Sequence, residues 1–234
     1  MNNHLMRDMD DMEWYPTANS RTPVAFDPAW RVMDVGSGHN PHPRADVIVE
    51  RYLEDVGTPA GRSGRAVVRP AGAQLVIADG TALPFGDKAF DFIVCSHVAE
   101  HVEEIDGFCR ELNRVGQRGF IETPGKWGEY LRHPRYHRWF VSLRDGALCF
   151  DPAPVDHPLG ALGKLFYSIY FYRGRQLASA DVYAFAHGAP RPLHYGLVII
   201  SRLLHRAWQA LTPLTHTRLL WQGEFRWRVR GGKR

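Results

Sequence analysis

The stretch "RVMDVGSGHNPHPRADVIVERY", residues 31–52, decides how this chain is read. Val32-Met33-Asp34-Val35 reads as a buried strand that enters a glycine turn, Gly36-Ser37-Gly38, and Asp46-Val47-Ile48-Val49 reads as a second strand closed by Glu50. Two glycines allow a tight bend and a close approach by a ligand. A dinucleotide site also wants a third glycine and a helix N-terminus aimed at the pyrophosphate. Here His39-Asn40-Pro41-His42-Pro43 follows instead, and two prolines stand where that helix would run. No Gly-Lys-Ser/Thr follows either, which excludes a phosphate-binding P-loop.

Further apolar runs follow at intervals. Gln74–Ile77 reads as a third strand, Phe90–Cys95 as a fourth and Gly119–Ile121 as a fifth. Between the last two, Val98, Val102, Ile105, Cys109 and Leu112 recur at three- and four-residue steps, the apolar stripe of a helix. Strands separated by helix-length stretches predict an α/β fold with a parallel sheet covered on both faces. Residues 1–30, with Pro16, Pro23 and Pro28, read as a polar, acidic lead-in, and residues 31–234 as one domain. The segment 55–73 is rich in Gly, Pro and Arg and reads as a loop. From about 125 to 190, Pro, His and aromatic residues predict an irregular, partly helical lid. Leu197–Leu211 has helical periodicity. Leu219–Val229 reads as a late antiparallel edge pair, with Phe225, Trp227 and Val229 on one side and Arg226 and Arg228 on the other.

Composition sets outer bounds. With 234 residues, 44% hydrophobic and 23% charged, the chain is of ordinary globular make-up and long enough for one sizeable core. The formal net charge of +4 is uneven: from Arg191 to Arg234 nine Lys or Arg face a single acid, Glu224. That tail reads as a solvated basic face, with attraction to an anionic partner as the alternative. Cys95, Cys109 and Cys149 have no paired spacing, which points to a reducing compartment and gives no zinc pattern. The N-terminus lacks the apolar core of a signal peptide, and no run approaches the roughly 18 apolar residues of a membrane span. A cytoplasmic location is expected.

Ligands of an open α/β sheet sit at the carboxyl ends of its strands. Asp34, two residues before Gly36, suits an amine or a sulfonium rather than a phosphate. Glu50, closing the second strand, is positioned to accept two ribose hydroxyls, and Asp79 in "IADGTALPF" to accept from an adenine amine. One ligand carries a positive charge, a ribose and an adenine together: S-adenosylmethionine (SAM).

The segments "VMDVGSG", "ADGTALPFGDKAFDFIVCSHVAEHVEE" and "ELNRVGQRGFIETP" resemble the class I SAM-dependent methyltransferases of the broad UbiE/UbiG-like group, over roughly residues 31–124. The resemblance implies a Rossmann-like sheet and SAM as cofactor, with Asp34, Gly36, Ser37, Gly38, Glu50, Asp79 and Gly80 on the cofactor side. It also implies that Ser96 and His97 flank the methionine part. Because the first helix is nearly absent, Asp46 or Glu54 remain alternatives to Glu50 as the ribose acid. Methyl transfer is an in-line displacement for which the protein mainly supplies alignment. A hydroxyl acceptor also needs a base near neutrality, which points to the histidines, 12 in number. His137 is the first candidate, between "HPRY" and Arg138-Trp139, the latter pair suited to hold and stack a polar ring. His133 and His101 are the others, and packing roles compete for each. Glu122 in "IETP" is placed to orient a histidine or hold a divalent ion, although no chelating spacing dictates a metal.

"IETP" followed by "HRWFVSLRDGALCF" is similar to methyltransferases of glycan and secondary-metabolite pathways. The expected acceptor is therefore a saccharide hydroxyl, such as one on a methylmannose-type polysaccharide. A quinone or lipid-like phenol is the alternative acceptor. A non-catalytic SAM-binding module that contacts RNA through the basic tail is the third reading; no Asn/Asp-Pro-Pro-Tyr motif or appended RNA-binding module supports it. "LFYSIYFY", residues 165–172, reads as a core or homodimer-contact helix, with sugar stacking or membrane-surface attachment as alternatives.

Overall fold

Runs without alternation become strands covered on both faces. "VMDV" and "VIVE" are buried at every position and "FIVCS" at all but its last. They form the middle of a six-stranded sheet. The computed structural model describes residues 13–16, 23–53, 66–132, 136–154, 156, 159–170, 196, 199–200, 202–204, 206–207 and 210–231.

In chain order the elements are β1 (Glu13–Pro16), β2 (Pro23–Phe26), β3 (Val32–Val35), β4 (Val47–Glu50), β5 (Gln74–Ile77), β6 (Phe92–Ser96) and α1 (Ile105–Val115). Then come β7 (Arg118–Pro124), α2 (Lys126–Arg132), β8 (Trp139–Arg144), β9 (Ala147–Pro152), α3 (Gly160–Tyr170), α4 (Thr212–Thr215), β10 (His216–Gln222) and β11 (Arg226–Val229). The main sheet runs β10-β7-β6-β3-β4-β5. Its inner pairs are parallel, and β10 closes one edge antiparallel to β7. This is the α/β, Rossmann-like sheet expected from the strand spacing.

The two faces of the sheet carry separate cores. Met33, Ile93, Cys95 and Ile121 pack with Phe108 and Leu112 of α1 on one side. Val32, Phe92, Val94 and Phe120 pack with Val24, Phe26 and Trp30 on the other. So the lead-in is not merely a polar leader. Its "PVAF" forms β2, paired antiparallel with β1, and Phe26 is fully buried against the sheet.

Other expectations need correction. The helix begins at Ile105 rather than near Val98, because Val98 and Val102 reach the same core from a turn. In the stretch expected as a lid, β8 and β9 form a hairpin whose Val141, Leu148 and Phe150 belong to the main core. The late edge pair also divides: β10 joins the main sheet, whereas β11 leaves it and pairs parallel with β9 in a second, three-stranded sheet. Asn113 of α1 fixes that departure, donating to the Phe225 carbonyl at 2.9 Å and accepting from its N–H at 3.1 Å. Trp227 and Val229 do face the core, as the alternation predicts. The described residues of 196–211 are mostly helical, and residues 171–190 of the expected lid lie outside the described residues.

Candidate active site

Strand β3 has β4 on one side and β6 on the other, so the chain order reverses between β3 and β6. A crevice opens at the carboxyl ends of strands at such a switch point. The turns after β3 and β6 meet there. Gly36 has φ of +69° and Gly38 of +60°, the left-handed region. A Cβ on Gly36 would lie 2.6 Å from a Val98 methyl, so the turn after β6 rests directly on the glycine loop.

Two of the strand-end acids, Asp34 and Glu50, hold this loop. Asp34 is 3% exposed, and its Oδ2 accepts from the His42 N–H at 2.7 Å. Its carboxyl is raised to about 7, by burial first, with the His42 N–H opposing and Glu50 adding to the rise. Glu50 is buried too, and its Oε1 accepts from the Gly38 N–H at 2.5 Å and the Ser37 hydroxyl at 3.3 Å. Asp79 accepts from the Thr81 N–H at 3.0 Å and hydroxyl at 2.9 Å, and pairs with Arg51 at 3.1 Å. Burial acts to raise Asp79, but Thr81 and Arg51 outweigh it and keep it below the usual carboxylate range. Asp46, the alternative ribose acid, precedes β4 and is occupied by Arg44 and the Val32 N–H, at the wrong end of the strand. Glu54 lies outside the described residues. Gly80 has a packing reason to be glycine, since a Cβ there would meet the Phe108 ring at 2.6 Å.

A second cluster lies beside the first. Glu122 on β7 is fully buried opposite Ser96 and Arg218, and takes Ser96 Oγ at 3.4 Å, His97 Nε2 at 3.6 Å and Arg218 Nε at 3.1 Å. His97 also lies 3.4 Å from Glu100 Oε1. Burial pulls His97 down, but Glu100 and Glu122 outweigh it and push it up to about 9. Burial likewise opposes ionisation of Glu100, which His97, His101 and His137 nevertheless lower to about 2. The histidine beside Glu122 is therefore His97.

His101 and His137 come together edge to face, with ring centres 4.7 Å apart. His137 Nδ1 lies 2.5 Å from Glu129 Oε1, and His101 Nδ1 3.4 Å from the Tyr136 carbonyl. Burial holds His101 below the usual histidine range; Glu100 opposes this and His137 adds to it. His133 and Pro134 lie outside the described residues. Trp139 is no free stacking platform: its Nε1 donates to the Val102 carbonyl at 2.6 Å and its ring meets Phe150. Arg138 pairs at the surface with Glu103. Sequence reading missed Glu100 and Glu129, both buried acids. Only the Glu in "AEHVEE" carried a signal, and its place in the motif was credited to its neighbour His101.

The strand order and the glycine turn are those of a Rossmann-like sheet with its switch point between β3 and β6, and over this part the chain is similar to methyltransferases. Residues 48–120 match the family model described as a methyltransferase domain. An uncharacterized methyltransferase of Mycobacterium sp. (strain JLS) is 39% identical over 90 residues, 38% of this chain; the match spans 35% of that relative's length. Among solved structures, the YcgJ protein of Bacillus subtilis is 23% identical over 44% of this chain and 50% of its own, with a TM-score of 0.33. An S-adenosylmethionine dependent methyltransferase from Mesorhizobium loti is 19% identical over 56% of this chain and 58% of its own, with a TM-score of 0.30.

Proposed function

We propose that the chain is a SAM-dependent O-methyltransferase whose acceptor is a saccharide hydroxyl. The observation that carries this reading is the histidine–carboxylate cluster at the ends of β6 and β7, whose turn rests on the glycine loop. A donor loop and a group of proton-handling side chains thus share one crevice.

The cofactor side accords with a cationic ligand. Asp34 and Glu50 are buried and repel each other, so a ligand bearing positive charge at this loop offsets the cost of ionising both. When bound, SAM supplies a methyl group already activated by its sulfonium. The glycine loop holds the methionine end, Glu50 shares its carboxylate between the loop and the ribose, and Asp79 meets the adenine amine. On the acceptor side His137 is the residue on which the reading turns. Its Nδ1–H points at Glu129, which fixes the ring and leaves Nε2 as the atom that takes or steers the hydroxyl proton.

The saccharide is inferred from similarity of the "IETP" region to glycan methyltransferases. Exposed apolar side chains favour the second acceptor class, a quinone or lipid-like phenol: Leu162 is 76% and Trp127 73% exposed. RNA contact is the weaker reading, because three arginines near the end of the tail have partners. Arg226 donates to the Asp145 carbonyl, Arg228 pairs with Asp145, and Arg230 with Asp151. No helix among the described residues is long and apolar enough to cross a membrane. A cytoplasmic place and a homodimer remain parts of the proposal. Transfer of a labelled methyl group from SAM to a panel of saccharides, phenols and RNA tests it. Label in a saccharide is the expected result; label only in phenols or RNA overturns the acceptor assignment.

A further inference from the structure

Glu100, His101 and His137 lie beside His97 but are not among the residues assigned to the cofactor, and three features of them converge. Each histidine has its Nδ1 committed to an oxygen, His137 to Glu129 Oε1 at 2.5 Å and His101 to the Tyr136 carbonyl at 3.4 Å. An oxygen acceptor fixes the proton on Nδ1 and leaves the Nε2 lone pair as the donor, the arrangement found around metal-ligating histidines. Glu100 is fully buried, yet neither of its carboxylate oxygens makes a hydrogen bond. Its neighbours are at ion-pair distance only, His97 Nδ1 at 3.4 Å and His101 Nε2 at 3.8 Å. A buried carboxylate with no hydrogen bond is costly unless cations complete it, and His97, shared with Glu122, meets it from one side only.

One donor atom from each of the three residues lies within 4.8 Å of the others. Ligands about 2.1 Å from a tetrahedral ion sit about 3.4 Å apart, so small side-chain rotations close the set. The backbone already holds the two segments together. The Glu100 carbonyl accepts the N–H of Arg138 at 2.8 Å and of Trp139 at 3.2 Å, locking the turn after β6 to the two residues that follow His137. The scaffold is therefore prepared before any ion arrives.

We propose that Glu100, His101 and His137 are the protein ligands of one zinc-class divalent ion whose open position faces the methyl acceptor. Two imidazoles and a carboxylate select a borderline ion such as Zn²⁺ or Co²⁺ over Mg²⁺ or Ca²⁺, which take oxygen sets. Three protein ligands leave one position for an outside group, here the acceptor hydroxyl. The catalytic part of this proposal rests on the methyl-transfer reading, with His137 acting through the ion rather than as a free base; ion binding itself does not depend on it.

The test uses the full chain stripped of metal with a chelator and titrated with Co²⁺. The expected result is visible d–d absorption that saturates at one ion per chain, is displaced by Zn²⁺ and is untouched by Mg²⁺. Glu100→Gln and His137→Asn should abolish the signal. Glu129→Gln, which removes the carboxylate behind His137, should weaken affinity about 10–100-fold while leaving the ligands in place. Circular dichroism of the metal-free variants separates lost binding from lost fold. No saturable absorption in the wild type overturns the proposal, as does wild-type affinity in folded His101→Asn and His137→Asn variants. Thermal stabilisation by SAM is read separately: an ion site without it keeps the present proposal and sinks the methyltransferase reading, and stabilisation without an ion does the reverse.

Discussion

Asp34 concentrates the electrostatics of the crevice in one side chain. Its carboxyl is raised to about 7 from 3.8, so the folded chain holds a proton there that the unfolded chain gives up. A raised folded-state value means stability present below about 4 and lost as pH rises through about 7. Denaturant midpoints across that window should fall with pH, and Asp34→Asn should flatten part of the slope while keeping an acceptor for the His42 N–H. An unchanged slope would remove Asp34 as its source. Binding a cation at this loop should also expel the proton near neutrality. Calorimetry of SAM binding in buffers of different ionisation enthalpy would then show proton release, reduced in the Asn variant. At His137 the stake is turnover. General-base or positioning catalysis is worth about 10²–10⁴-fold, so His137→Ala should lower the turnover rate by that order and leave SAM affinity nearly intact. Loss of SAM binding together with activity would show that the residue supports the fold instead.

Elements were legible where burial on both faces wrote itself into composition. Five strands came from short apolar runs; β3, β4, β6 and β7 are covered parallel strands with no solvent side to alternate toward, whereas β5 at the sheet edge is only partly covered. The hairpin β8–β9 was hidden for a different reason. "HRWFVSLRDGALCF" mixes charged and aromatic residues, and its buried side, Val141, Leu148 and Phe150, only becomes one side once β9 pairs with β8 and β11. That last pairing joins residues far apart in the chain, which no local pattern encodes. The lead-in hid β2 behind prolines and acids. Phe26 tests the corrected view: it is fully buried and stacks against His42 and Phe92, with ring centres 4.7 Å away in each case. Phe26→Ala should cost about 3–5 kcal/mol in denaturant unfolding. A loss within about 0.5 kcal/mol, the usual range of a surface substitution, would return residues 23–30 to the role of a leader.

For the whole molecule, the strand-end acids were readable as a group because few residue types close buried strands, and Asp34 and Glu50 do meet at the glycine loop. The acceptor side was not readable, since Glu100 and Glu129 belong to a residue type that is almost always at the surface, and only the fold reveals them as buried. The central claim is that this sheet binds SAM at the switch point between β3 and β6. Melting of the full chain with SAM, with its demethylated product and with NAD tests that claim most directly. Only ligands bound by the native state raise the midpoint, and at about 100 times Kd the gain is about 2.7 kcal/mol. The account predicts a rise with SAM and with its demethylated product and none with NAD; an equal rise with NAD, or no rise with SAM, would contradict it.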